Sequence, residues 1–168
     1  MSNSELALLA RSLGELLTDR GWMFACAESC TGGLLSVAMT DTAGSSLWFD
    51  RGFVTYSNAS KVEQLLVHAD TLERFGAVSE ETAMEMAAGV LGVAHTSHFS
   101  ISTTGIAGPG GATAGKPVGM VCFGFAQRTV NGVSTRAVTK IFQGERAQVR
   151  ADSVAFALKT AMDFLERH

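Results

Sequence analysis

Charge is scarce in this sequence, and one sign of it is missing from a long stretch. Only 17% of the 168 residues are Asp, Glu, Lys or Arg, and the formal net charge is −3. A chain without a basic surplus lacks the footprint for broad nucleic-acid binding. From Met86 to Gly144 no Asp or Glu occurs, whereas Lys116, Arg128, Arg136 and Lys140 do. That stretch is locally basic inside an acidic protein, and a solvated hairpin accounts for it as well as an anion-facing surface does. Cysteine is sparse too: three residues and no CxxC pair leave neither a disulfide framework nor zinc-type spacing. Reduced thiols in the cytoplasm are the expectation. No apolar run approaches the ~20 residues of a membrane span. The N-terminal MSNSELALLARSLGELL carries acids early and no basic leader, so it does not read as a signal peptide.

What is present is apolar. At 46% hydrophobic, the chain can bury a substantial core, and its length suits one domain over residues 1–168. Leu6, Leu9, Leu13 and Leu16 recur at helical spacing, predicting a helix over 4–20 that stops at Gly21. Trp22–Ala27 reads as a buried strand, and Thr31-Gly32-Gly33 opens a second helix. Gly52–Tyr56 reads as a strand followed by a helix capped at Asn58. Ser79, with Glu80 and Glu81, starts a helix running to about Ala94. Phe99–Thr103 is a strand, and Val118–Gln127 pairs with Thr135–Phe142 as a hairpin turning near Asn131. An amphipathic helix over 146–166 closes the chain. Early alternation with a late hairpin predicts an α/β fold: three α/β/α layers around a mixed, mostly parallel sheet.

Four segments could carry chemistry. Ala27-Glu28-Ser29-Cys30-Thr31-Gly32-Gly33 lies where a strand hands over to a helix. Free N–H groups there attract anions, and an exposed Ser29 in that field could act as a nucleophile, although a plain cap by Ser29 or Thr31 explains the same residues. In Tyr56-Ser57-Asn58-Ala59-Ser60-Lys61, an Asn58 cap puts Lys61 third in a helix. Dipole and burial would then lower its pKa toward that of a general base, against the ordinary reading of a lysine reaching solvent. The Gly105–Gly119 segment is long for an idle connection, and its successive N–H groups could form an anion nest. Arg146 and Arg150, four apart at a helix start, call for an anion or for pairing with Glu145. Cys30 is a conceivable alternative nucleophile, while Cys26 and Cys122 read as core. His95 and His98 form an HxxH with no acid or cysteine nearby, and His68 and His168 lie in no motif, so no metal site is read.

The segments AESCTGG, GSSLWFDRGFVTYSNASK, GAVSEETAMEMAAGV, STTGIAGPGG, KPVG and FQGERAQVR stand in the order and spacing of the CinA C-terminal domain family. The chain resembles that family, the nicotinamide-nucleotide amidases, from about Leu6 to Leu165, in its stand-alone form. The resemblance implies hydrolysis of the carboxamide of nicotinamide mononucleotide to nicotinate mononucleotide and ammonia. It implies a serine–lysine pair, here Ser29 and Lys61, with Tyr56 beside them. Thr31, Gly32, Gly33, Asn58, Thr104, Gly105, Ala107, Gly108, Gly110, Gly111, Arg146 and Arg150 make up the expected substrate-binding set. Glu145 stands where the family pattern has aspartate, and Thr103 and Ala107 are small variants of it. No cofactor or metal is implied. The expected partner is a small pyridine nucleotide, with no nucleic acid and no membrane, and a homo-oligomer is expected. A binding module that keeps the pocket without turnover is the alternative function.

Overall fold

The computed structural model describes residues 1–167; His168, one of the histidines read from the sequence, lies outside them. Helix α1 (Asn3–Asp19) opens with a capping box: the Ser2 hydroxyl accepts from the Glu5 N–H, and the Glu5 carboxylate accepts from the Ser2 N–H. Leu6, Ala10, Leu13 and Leu17 form its buried stripe. Strand β1 (Phe24–Glu28) is buried at every position, as a central strand covered on both faces must be.

Then follow α2 (Leu34–Thr40), β2 (Phe49–Val54), α3 (Asn58–Leu65), α4 (Ala69–Phe75), α5 (Glu80–Val93), β3 (Phe99–Gly105), β4 (Met120–Thr129), β5 (Gly132–Ile141) and α6 (Arg146–Glu166). The sheet order is β2-β1-β3-β4-β5. β1 pairs parallel with both β2 and β3, and β3-β4 and β4-β5 are antiparallel. Four of the five strands therefore point the same way, with β4 alone reversed. Helices α1, α2 and α6 cover one face around Leu13, Phe123 and Leu158, and α5 covers the other.

β3 carries hydroxyls where apolar residues would be usual. Ser100 Oγ donates to Ala87 O and Ser102 Oγ to Ala83 O, so α5 lies on the sheet with each buried hydroxyl satisfied. No described helix is long and apolar enough to cross a membrane.

The expected helices and hairpin are present, with shifted ends. The second strand begins at Phe49, not Gly52, because Phe49 pairs with Phe24. Ser57, not Asn58, caps α3: it is extended, and its hydroxyl accepts from the Ser60 N–H. Lys61 is thus fourth in its helix. The seven-residue α4 has too short a pattern to read from sequence.

The connection leaving β1 goes to β2 on one side, and β3 lies on the other. β1 is therefore the point where the strand order reverses, and in open α/β sheets ligands sit outside the carboxyl ends of strands at such points.

Candidate active site

Three loops meet there, one after each parallel strand. Ser29 follows β1, Tyr56 follows β2, and Thr104 to Gly111 closes β3 and continues beyond it. Together with Ala77 and Val78 they enclose a cavity of about 310 Å³, within the range of small-molecule sites. Its wall holds Ser29, Cys30, Tyr56, Lys61, Thr104, Gly105, Ile106, Ala107, Gly108, Gly110, Gly111 and Arg146. Lys61 and Arg146 bring two cations to the wall, and among the described residues no carboxylate lines it.

Lys61 is 1% exposed. Its Nζ lies 2.9 Å from Ser29 Oγ, 2.9 Å from Thr55 O and 3.1 Å from Tyr56 O. No ion pair reaches it among the described residues. Burial without a countercharge disfavours the ammonium and lowers the Lys61 pKa to about 8. Ser29 was expected to be exposed; it is buried and faces the cavity. Its N–H donates to Thr103 O, and its hydroxyl can also donate to Tyr56 O at 3.3 Å.

Beside them, burial pushes the Cys30 thiol up to about 12. A thiol so rarely ionised is a poor nucleophile, which removes the main support for a cysteine mechanism. Tyr56 turns its phenol outward, where its hydroxyl accepts from Arg146 Nη2 at 3.2 Å. Arg146 Nη1 donates to Gly108 O at 2.8 Å.

Not every expected residue reaches the cavity. Thr31, Gly32, Gly33, Asn58 and Arg150 are outside its wall. Thr31 is fully buried, its hydroxyl shared between Glu28 Oε1 and Thr103 Oγ1. Asn58 is exposed on the first turn of α3. Arg150 donates to Cys30 O and Thr31 O, and Arg146 to Gly108 O and the Tyr56 hydroxyl, so neither arginine pairs with Glu145.

Sequence reasoning missed Glu28. It is fully buried and accepts from the N–H groups of Leu35 and Ser36 and from the hydroxyls of Thr31 and Ser36. It does the capping that Gly33 at the N-cap cannot. An acid ending an otherwise apolar strand was the available signal.

The fold and site define a three-layer α/β protein with a serine–lysine pair at the switch point of its sheet. The chain belongs to the CinA C-terminal domain family, whose model matches residues 6–165. It is 51% identical over 164 residues to the nicotinamide-nucleotide amidohydrolase PncC of Enterobacter agglomerans, covering 96% of each chain. Identity to the protein of the same name in Escherichia coli K12 is 46% over 160 residues, covering 95% of this chain and 94% of that one. The competence/damage-inducible protein of Agrobacterium tumefaciens has a similar structure, with a TM-score of 0.86, 41% identity, and coverage of 99% of this chain and 97% of that one. The competence damage-inducible protein A of Klebsiella pneumoniae gives a TM-score of 0.90 at 35% identity, covering 96% of this chain and 97% of that one.

Proposed function

We propose that this protein hydrolyses the carboxamide of nicotinamide mononucleotide, releasing nicotinate mononucleotide and ammonia. The observation that carries the reading is the 2.9 Å contact between a buried Lys61 amine and the Ser29 hydroxyl on the cavity wall. Relatives that match this chain nearly end to end bear the name nicotinamide-nucleotide amidohydrolase, and a wall that carries the Arg146 guanidinium and, among the described residues, no carboxylate suits an anionic nucleotide.

In this reading neutral Lys61 takes the Ser29 proton as Oγ attacks the amide carbon. The tetrahedral intermediate collapses as the lysine ammonium returns that proton to the departing amine, and ammonia leaves. Water, activated by the same amine, then cleaves the ester and frees Ser29. The N–H groups of the Gly108–Gly111 loop make no backbone hydrogen bonds within the described residues and are available to anionic oxygens. Arg146 adds charge at the same rim. The wider reading takes residues 1–168 as one cytoplasmic domain that assembles as a homo-oligomer, acts on a pyridine nucleotide and needs no cofactor.

The test is ammonia release from nicotinamide mononucleotide by purified protein, with Ser29→Ala alongside. Turnover by the parent and none by a folded Ser29→Ala supports the reading. A fully active Ser29→Ala would refute the nucleophile, and nucleotide binding without any ammonia would make the chain a binding module.

A further inference from the structure

The turn that carries Ser29 is held from two sides by opposite charges, neither of them on the cavity wall. On one side the Glu28 carboxylate gathers the N–H groups that begin α2 and the Thr31 hydroxyl. On the other, Arg150 reaches across from α6. Its Nε donates to Cys30 O at 3.2 Å and its Nη2 to Thr31 O at 3.0 Å. These are the carbonyls of the two residues that follow Ser29.

The fit is close. Gly32 has φ +58°, and a Cβ there would stand 3.3 Å from Arg150 Nη2, so the guanidinium lies flush on a turn that has no side chain at that point. Two donors in a rigid fork on successive carbonyls fix both peptide planes, which a single-point cation cannot do. Arg150 also meets no carboxylate: in its described contacts its charge is answered by carbonyl dipoles.

We infer that Arg150 is a positioning residue, which sets the direction of the Ser29 hydroxyl by clamping the Cys30–Thr31 carbonyls, and not a ligand for the substrate phosphate. This deepens the amidase reading and rests on it. A phosphate ligand must face the cavity, and Arg146 does so while Arg150 does not. Small displacements of a reacting group cost much rate, of order 10²-fold for about 1 Å. Loosening the turn should therefore act on chemistry rather than on binding. It should also admit water to Lys61, restoring solvation of the ammonium and moving its titration upward.

The experiment measures steady-state kinetics on nicotinamide mononucleotide and the ¹⁵N-detected titration of Lys61 in the parent, in Arg150→Gln and in Arg150→Lys. Expected for Arg150→Gln is a kcat lower by about 100-fold, a KM within about threefold, and a Lys61 midpoint higher than in the parent. Arg150→Lys should fall between the two, and it carries the test alone if Arg150→Gln does not fold. A KM raised tenfold or more with kcat retained and the Lys61 midpoint unmoved would overturn the inference and make Arg150 a phosphate contact. If the parent releases no ammonia, the functional reading fails, while the Lys61 titration still decides the clamp: an unmoved midpoint in the variants rejects it.

Discussion

Ser29 and Lys61 are 32 positions apart in the chain and 2.9 Å apart in space, and the two remaining neighbours of the lysine nitrogen are both carbonyls. A carbonyl can only accept. A neutral amine has two hydrogens and one lone pair, so with Thr55 O and Tyr56 O taking the hydrogens, the lone pair faces the serine hydroxyl. Once protonated, the nitrogen donates to all three, and the serine hydrogen turns to Tyr56 O. The pair therefore has a reactive and an idle arrangement, distinguished by one proton.

Activity should follow that proton. With the Lys61 pKa lowered to about 8, only the deprotonated fraction is productive, so kcat/KM should climb with pH and level off above about 8. Lys61→Arg keeps the charge but cannot deprotonate, and it should lose at least about 10³-fold in kcat. A rate flat from pH 6 to 9 in the parent would remove lysine as the base.

Cys30 shares the wall and should matter little to turnover. At a pKa of about 12, its thiolate fraction at neutral pH is about one in 10⁵. Cys30→Ser should retain kcat within about tenfold, and the native protein should resist iodoacetamide at this position. Loss of turnover comparable to that of Ser29→Ala would return the cysteine mechanism to contention.

The same lysine links stability to pH. Its folded pKa of about 8 lies below the ordinary 10.5. Between those values the unfolded chain binds more protons than the folded one, so the free energy of unfolding rises with pH through that window. Below about 8 the cost of burying the ammonium is fully present, and above about 10.5 it is gone. The full difference is about 3 kcal/mol. Urea denaturation at pH 7 and pH 10 should show this rise in the parent beyond any rise in Lys61→Met, which has no proton to lose. Equal increments in the two proteins would mean that Lys61 keeps an ordinary pKa in the folded state.

Parts of this were legible in the sequence, and the rest had physical reasons to stay hidden. Leu6 to Leu17 announced α1 because one helix face is buried along its length, and the β4–β5 hairpin announced itself through its turn. Ser29 and Lys61 were each visible beside a helix start. Their pairing came from the family resemblance and not from local pattern, because the contact depends on β1 and β2 lying side by side with loops leaving at the same end. Burial of Lys61 stood in the sequence only as one of two readings, against a lysine reaching solvent, since nothing local marks a buried lysine. Arg150 read as an anion ligand or a partner for Glu145, because a guanidinium bound to carbonyls has the same sequence signature. Glu28 went unread because the N–H groups it caps belong to residues seven and eight positions further on.

Two glycines three residues apart on α5 separate helix propensity from packing, and through packing they reach the site. Gly→Ala inside a helix ordinarily gains up to about 1 kcal/mol. A Cβ at Gly92 would meet nothing within 4 Å, so Gly92→Ala should show that gain. At Gly89 a Cβ would fall 2.0 Å from Leu65 O, a backbone atom in the last residue of α3, which cannot yield without moving the helix. Overpacking of this kind costs about 1–3 kcal/mol, enough to cancel or reverse the propensity gain. Because α3 also carries Lys61, its displacement should lengthen the contact to Ser29. Gly89→Ala should therefore lose stability and at least about tenfold in kcat, while Gly92→Ala keeps full activity. Thermal unfolding and ammonia release on the two variants check both, and a stabilised, fully active Gly89→Ala would show that α3 is free to shift without consequence for the site.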